Sequence, residues 1–194
     1  MSGSIEIHRD TLEVEITGTI DIYGSGQGEI STGLGFLDHM LMTLTKHSGF
    51  DLTIEARGDT VVDDHHTVED CALAIGAALD EALGDRNGIE RFAHAYAPLD
   101  EALARAVVDL SGRPWPEIHL SLTRDKIGDV ATENLTHFFR SLASASRMAL
   151  HVDVLRGDND HHKSEAAFKS TALALRRAVR RNGTGDVPST KGVL

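Results

Sequence analysis

The period of the apolar positions changes several times along the chain. Leu12, Val14 and Ile16 alternate with Glu13, Glu15 and Thr17, and Ile20 and Ile22 continue the pattern up to Gly24. A period of two predicts a strand with one buried face, which leaves Glu13 on the opposite face. From Phe36 to Lys46, the residues Leu37, Met40, Leu41 and Leu44 recur at helical spacing, and Gly49 is placed to supply a left-handed stop. Phe50, Leu52 and Ile54 return to the strand period. After a polar stretch, Asp64 is expected to cap a long helix through Cys71, Ala74, Ile75, Ala78 and Leu83 to Gly84. Alternation is less regular over residues 91–123, where 107–110 and 118–122 read as strands joined by a turn at 112–116. Thr132, Leu135, Phe138, Phe139 and Leu142 mark a helix, and Leu150, Val152 and Val154 a strand. A turn over 157–160 follows, and His161 opens a last helix expected to end near Gly183.

These elements repeat. Strand, helix carrying one histidine, strand, polar turn and helix beginning His-His occurs twice, with 26 residues from His39 to His65 and 24 from His137 to His161. The chain therefore reads as a single domain over 1–194, built of duplicated halves at about 9–90 and 91–183 with a tail at 184–194.

Composition narrows the function. With 194 residues and 41% hydrophobic content, the chain can bury a core without disulfides, and Cys71 is its only cysteine. A reducing, cytoplasmic setting is expected, because the first residues lack the pattern of a signal peptide and no run is long enough to span a membrane. A formal charge of −11 opposes nucleic acid and anionic lipid. The same field repels a small phosphate, so any phosphorylated ligand requires a local cluster of Arg and Lys.

Eleven histidines are present, and two adjacent pairs stand out. Both Asp63-Asp-His-His-Thr-Val-Glu69 and Asp158-Asn-Asp-His-His-Lys-Ser-Glu165 contain His-His-x-x-Glu. Helical residues four apart differ by ~40° in direction and adjacent ones by ~100°, so His65 with Glu69, and His161 with Glu165, can each grip one metal ion. His66 and His162 then point elsewhere. Two ligands are too few for a stable site, and a local two-fold would let each leftover histidine reach the ion of the other half. That gives one ion on His65, Glu69 and His162 and a second on His161, Glu165 and His66, with His39 and His137 as fourth ligands. Pairing of His66 with Glu69 satisfies the spacing as well. Three imidazoles and one carboxylate suit Mn, Fe, Ni or Zn.

At these residues the sequence resembles a known family. Gly33-Leu-Gly-Phe-Leu-Asp-His-Met-Leu41, Gly58-Asp-Thr-Val-Val-Asp-Asp-His-His-Thr-Val-Glu-Asp70, Pro98-Leu-Asp-Glu-Ala-Leu103, Asp109-Leu-Ser-Gly-Arg-Pro114, Asn159-Asp-His-His-Lys-Ser-Glu-Ala-Ala-Phe-Lys169 and Ser189-Thr-Lys-Gly192 are similar to the motifs of imidazoleglycerol-phosphate dehydratases. The similarity runs from about Arg9 to the C-terminus; it departs at Ile22-Tyr-Gly24, where the family has an Asp before the glycine. It implies an α+β fold of duplicated half-domains, each a mixed sheet with helices on one face, as in domain 2 of ribosomal protein S5. It further implies a monofunctional, manganese-dependent lyase of histidine biosynthesis, with two Mn(2+) per site and sites between subunits of a homo-oligomer, a 24-mer built from trimers.

The chemistry the resemblance implies is hard without metal, since the carbon acid is weak and hydroxide leaves poorly. Divalent ions on the imidazole nitrogens favour the imidazolate, whose electrons can expel the neighbouring hydroxyl. Glu13, within Arg9-Asp-Thr-Leu-Glu13, is the first candidate base, and His47 and Asp100 are further substrate-binding candidates. Arg91, Arg113, Lys169, Ser189 and Lys191 fall where the family places phosphate-binding groups. His8, His94, His119 and His151 are expected to be structural. The competing readings are a dinuclear phosphate-ester hydrolase, which would favour a bridging carboxylate, and a metal-storage scaffold, which has no use for the arginines.

Overall fold

The computed structural model describes residues 3–183, 185, 186, 189 and 190. Its first half runs β1 (Ile5–Asp10), β2 (Val14–Asp21), β3 (Gly28–Ser31), α1 (Gly35–Ser48), β4 (Asp51–Gly58) and α2 (His65–Leu83). The second half repeats the order as β5 (Phe92–Leu99), β6 (Ala102–Asp109), β7 (Trp115–His119), α3 (Thr132–Ala145), β10 (Ala149–Arg156) and α4 (Asp160–Ala178), with a small hairpin, β8 (Lys126–Ile127) and β9 (Val130–Ala131), inserted before α3. The two four-stranded sheets have matching orders, β1-β2-β4-β3 and β5-β6-β10-β7. Each is antiparallel except at one edge, where β3 runs parallel to β4 and β7 parallel to β10. The architecture is thus α+β with duplicated half-domains.

The alternating residues bury one face of each sheet. Val14, Ile16 and Ile20 of β2 and Leu52, Ile54 and Ala56 of β4 face inward, as do Ala104, Ala106 and Val108 of β6 and Leu150 and Val152 of β10. The small alanines of β6 let α4 lie close to the second sheet, while α2 covers the first. The helices also cross between halves: α2 packs on α3 and α1 on α4. Phe138 and Phe139 of α3 meet Phe168 of α4 at centroid distances of 5.1 and 4.6 Å, all three fully buried. Each such ring contributes roughly 2–3 kcal/mol of burial. One continuous core therefore joins the halves.

Several local expectations are corrected. Leu12 is fully exposed and Glu13 lies in a bend rather than on a strand, because the Thr11 hydroxyl accepts the N–H groups of Glu13 and Val14 and turns the chain between β1 and β2. Strands β6 and β7 do not form a hairpin; β7 pairs with β10 instead. Asp64 does not cap α2 with its side chain and itself adopts helical angles. Helix α4 ends at Ala178 rather than near Gly183, and residue 181 forms an isolated bridge with Ile89. Gly49 does end α1, with φ of 76°. No described helix is long and apolar enough to cross a membrane.

Candidate functional site

Each His-x-x-x-Glu pair occupies the first turns of its helix, as the spacing requires. His65 Nε2 is 3.4 Å from Glu69 Oε2, and His161 Nε2 is 3.3 Å from Glu165 Oε2. The third member of each group comes from the other half of the chain. His137 of α3 brings Nε2 to 3.1 Å from Glu69 Oε1, and His39 of α1 brings Nε2 to 3.1 Å from Glu165 Oε2. Two clusters result, His65–Glu69–His137 and His39–His161–Glu165, each with its donor atoms within 4.8 Å of one another. The crossed packing of α2 on α3 and of α1 on α4 is what exchanges the histidines.

That exchange differs from the expected one. Within the chain His39 and His137 cross over, whereas His66 and His162 turn away from both clusters. His66 Nδ1 bonds to Asp59 at 3.1 Å and His162 Nδ1 to Glu101 at 2.7 Å. The reason is the ~100° step between neighbouring helical residues, which aims the second histidine of each pair at the loop beside its helix. Their Nε2 atoms lie near a second carboxylate, Glu13 at 3.6 Å and Asp100 at 4.0 Å. The Asp59 bond, opposed by desolvation and helped by the Glu13 charge, raises the pKa of His66 above the ordinary range; Glu101, and then Asp100, do the same for His162. In return the His162 bond and the backbone N–H of Asn159 hold Glu101 down at about 2. Asp59 and Glu101 were not among the expected site residues, although Asp59 stands inside the motif that carries the first histidine pair.

The remaining candidates fall in separate places. Lys169 Nζ is 2.7 Å from Glu165 Oε1, one helical turn on. Burial raises the Glu165 pKa, but the bonds from Lys169 and His39 outweigh it and the net shift is downward. His47 lies beside these charges, its pKa lowered first by burial and then by Lys169. Arg91 is 7% exposed, bonds through Nε to Asp109 at 2.7 Å and stacks on Phe92. Arg113 is exposed in the turn before β7. The register of the second sheet aligns Phe92, Asp109, Ala149 and Trp115, so Arg91 and Arg113 share one end of it. Asp100 and Glu101 with His162 stand at the other end, about 30 Å away along an eight-residue strand and its flanks. The expected phosphate cluster is therefore not gathered within one chain. Ser189 is half-buried, and Lys191 lies outside the described residues.

Both donor sets have the composition and spacing that suit a divalent ion. Ligands at about 2.1–2.2 Å from an ion and at right angles stand about 3 Å apart, and the histidine–carboxylate separations in both clusters are 3.1 to 3.4 Å. His137 Nε2 is buried and makes no hydrogen bond despite its closeness to Glu69. Such an orphaned nitrogen is costly in a protein but natural in a metal ligand. His66 and His162, the second histidine of each doublet, each carry a carboxylate on Nδ1 that leaves Nε2 free to bind.

A family model described as imidazoleglycerol-phosphate dehydratase matches residues 32–175. A protein of that name from Kluyveromyces lactis is 55% identical over 193 residues, covering 99% of this chain and 87% of the relative. The one from Saccharomyces cerevisiae is 59% identical over 85% of this chain and 75% of its own length. A relative from Phytophthora nicotianae is 57% identical over 97% of this chain, which spans only 42% of that longer protein. Among solved structures, the dehydratase of Staphylococcus aureus superposes with a TM-score of 0.84 at 39% identity, covering 92% of this chain and 99% of that one. The enzyme from Pyrococcus furiosus gives 0.84 at 37%, covering 97% and 100%. The match spans both histidine pairs and the duplicated frame alike, and the chain belongs to the imidazoleglycerol-phosphate dehydratase family of hydro-lyases.

Proposed function

We propose that this chain is a metal-dependent enzyme of the cytoplasm that removes water from D-erythro-imidazole glycerol phosphate to give imidazole acetol phosphate, a step of histidine biosynthesis. The observation that carries the reading is the pair of crossed clusters, two imidazoles and one carboxylate each, with a buried His137 nitrogen that finds no hydrogen-bond partner. His65, Glu69 and His137 would hold one divalent ion, Mn(2+) by family likeness, and His39, His161 and Glu165 a second. When bound, such ions supply Lewis acidity at the substrate's ring nitrogens.

The chain's own residues do the rest. Glu13, exposed beside His66, takes the proton from the glycerol carbon at its carboxylate. Lys169 and His47, next to the Glu165 cluster, orient the polar end of the substrate. Arg91 and Arg113 stand too far from the histidines to serve the same substrate in one chain. We infer that they, with Ser189 and Lys191, bind phosphate at the site of a neighbouring copy in a homo-oligomer, the family's 24-mer. The outward Nε2 atoms of His66 and His162 complete a neighbour's ion sets in the same way.

The test is an assay of ketone product and free phosphate in parallel, on chelator-stripped and Mn(2+)-restored protein. Ketone formed only with the ion, and reduced ~10²–10⁴-fold in Glu13→Gln, is the expected result. Phosphate release without ketone would make the protein a hydrolase, and undiminished turnover of the stripped protein would overturn the metal assignment.

A further inference from the structure

The two clusters look equivalent in their ligands, yet the residues behind them differ. Asn134 and Phe36 occupy matching positions, three residues before His137 and His39 on the first turns of α3 and α1. Asn134 is 4% exposed and spans two partners. Its Nδ2 donates to Asp64 Oδ2 at 2.9 Å, and its Oδ1 lies 2.9 Å from His65 Nδ1. A carboxylate only accepts, so the amide nitrogen must face Asp64 and the amide oxygen must face the histidine. The hydrogen on His65 is thereby fixed at Nδ1, and its Nε2 presents a lone pair toward Glu69. Asp64 is itself anchored, since Oδ2 also accepts the N–H of Ala131 at 2.8 Å.

Nothing comparable holds His161. Phe36 packs its ring against His161, with centroids 5.2 Å apart at 66°, and a phenyl group offers no lone pair to an N–H. Among the described residues no hydrogen bond reaches His161 Nδ1, so its tautomer is not locked from behind. Asp160, the counterpart of Asp64, is drawn off to the Thr123 and Arg124 N–H groups and to Lys163. The carboxylates differ too: Glu165 shares its charge with Lys169 at 2.7 Å, while the residue one turn after Glu69 is Leu73.

Resting on the metal reading above, we propose that Asn134 is a positioning residue for His65, and that it makes the Glu69 cluster the tighter of two unequal ion sites. A locked tautomer removes a competing protonation geometry, and a carboxylate not shared with an ammonium is the stronger donor. The experiment is titration of Mn(2+) into the stripped, assembled protein, with free ion counted by electron paramagnetic resonance, for wild type, Asn134→Ala and Lys169→Gln. Wild type should show two affinity classes. Asn134→Ala should weaken the tight class about 10- to 100-fold and leave the weak class in place. Lys169→Gln should tighten the weak class alone. The melting temperatures of the ion-free variants, measured alongside, separate positioning from loss of fold: a structural role lowers both classes together with the melting temperature. Two classes indifferent to Asn134→Ala, or lowered equally by it, would overturn this assignment while leaving the metal reading intact. Wild type that binds no ion would remove both.

Discussion

Replacing Gly76 by alanine sets two known effects against each other. Gly76 lies in the middle of α2 at its crossing with α3, and a helix interior ordinarily gains about 1 kcal/mol when glycine becomes alanine. Here an added Cβ would stand 2.7 Å from the Ala145 Cβ, 2.9 Å from the Leu142 carbonyl oxygen and 3.1 Å from the Ser146 nitrogen. Comfortable carbon contacts begin near 3.5 Å, so the helices must separate by a large fraction of an ångström. Two of the three obstacles are backbone atoms, and Ser146, fully buried, is tied to the Leu142 carbonyl at 2.7 Å through its hydroxyl. The last turn of α3 thus cannot give way cheaply. Overpacking of this kind costs roughly 1–3 kcal/mol and more where backbone must shift, so the upper end applies and the net loss is about 2 kcal/mol. In a chain of this length that is roughly 4–8 °C of melting temperature at fixed protein concentration. The same helix pair positions Glu69 against His137, so the Glu69 cluster should also bind Mn(2+) more weakly, with the Glu165 cluster spared. An unchanged or raised melting temperature would show that propensity wins and that the close approach of α2 to α3 is not a constraint.

Other outcomes follow from single contacts. Asp129 accepts the first N–H groups of α1, from Gly35 at 2.5 Å and Phe36 at 3.0 Å, where α1 has no cap of its own; Asp129→Ala should cost about 1 kcal/mol in a thermal melt and weaken the ion site that uses His39. Cys71 is fully buried and burial, with help from Asp70, pushes its thiol up to about 12. The protonated thiol is the form the fold favours, so its contribution to stability is complete below the ordinary thiol range and is lost as pH rises toward 12. Ellman's reagent at pH 8 should therefore find no thiol in native protein and one per chain in guanidinium; rapid reaction of the native form would contradict the packing of α2. Removing bound ion with a chelator should lower the melting temperature, because an ion at 100 times its Kd stabilises each site by about 2.7 kcal/mol. A melt indifferent to chelator would mean that the clusters hold no ion.

Much of this arrangement is legible in the amino-acid sequence. The change of period from two to three and four located β2, α1, β4, α2, α3, β10 and α4, because each buries a single face against a common core. The His-x-x-x-Glu spacing was equally readable, since one helical turn fixes it. Strand β5 escaped because its outward residues include Phe92 and Tyr96, which blur the alternation, and β1 because only Ile5 and Ile7 carry its inward period. The partner of β7 is set by a long-range pairing with β10, and no turn signal encodes it. Which histidine crosses between halves depends on which helices pack together, a tertiary fact that the spacing leaves open. Asn134 did carry a signal: it lies three residues before His137 and hence on the same helical face, but an amide in a helix has many ordinary uses.

Duplication explains why the crossed arrangement is stable as well as reactive. A half-domain that supplied all its own ligands could bind an ion without its twin, and the seam between halves would then gain nothing from the metal. Here each cluster takes an imidazole from one half and a clamp from the other, and the two exchanges lie on two separate helix pairs, α2 with α3 and α1 with α4. Opening either helix pair separates the members of one cluster, so a bound ion and inter-half packing would stabilise each other by linkage. Even without metal the seam is strengthened across the halves by Asp129 at the start of α1 and by Asn134 between Asp64 and His65. The seam holds His39 Nε2 and His137 Nε2 each 3.1 Å from a carboxylate oxygen of the other half, which would reduce the ordering that ion binding must impose.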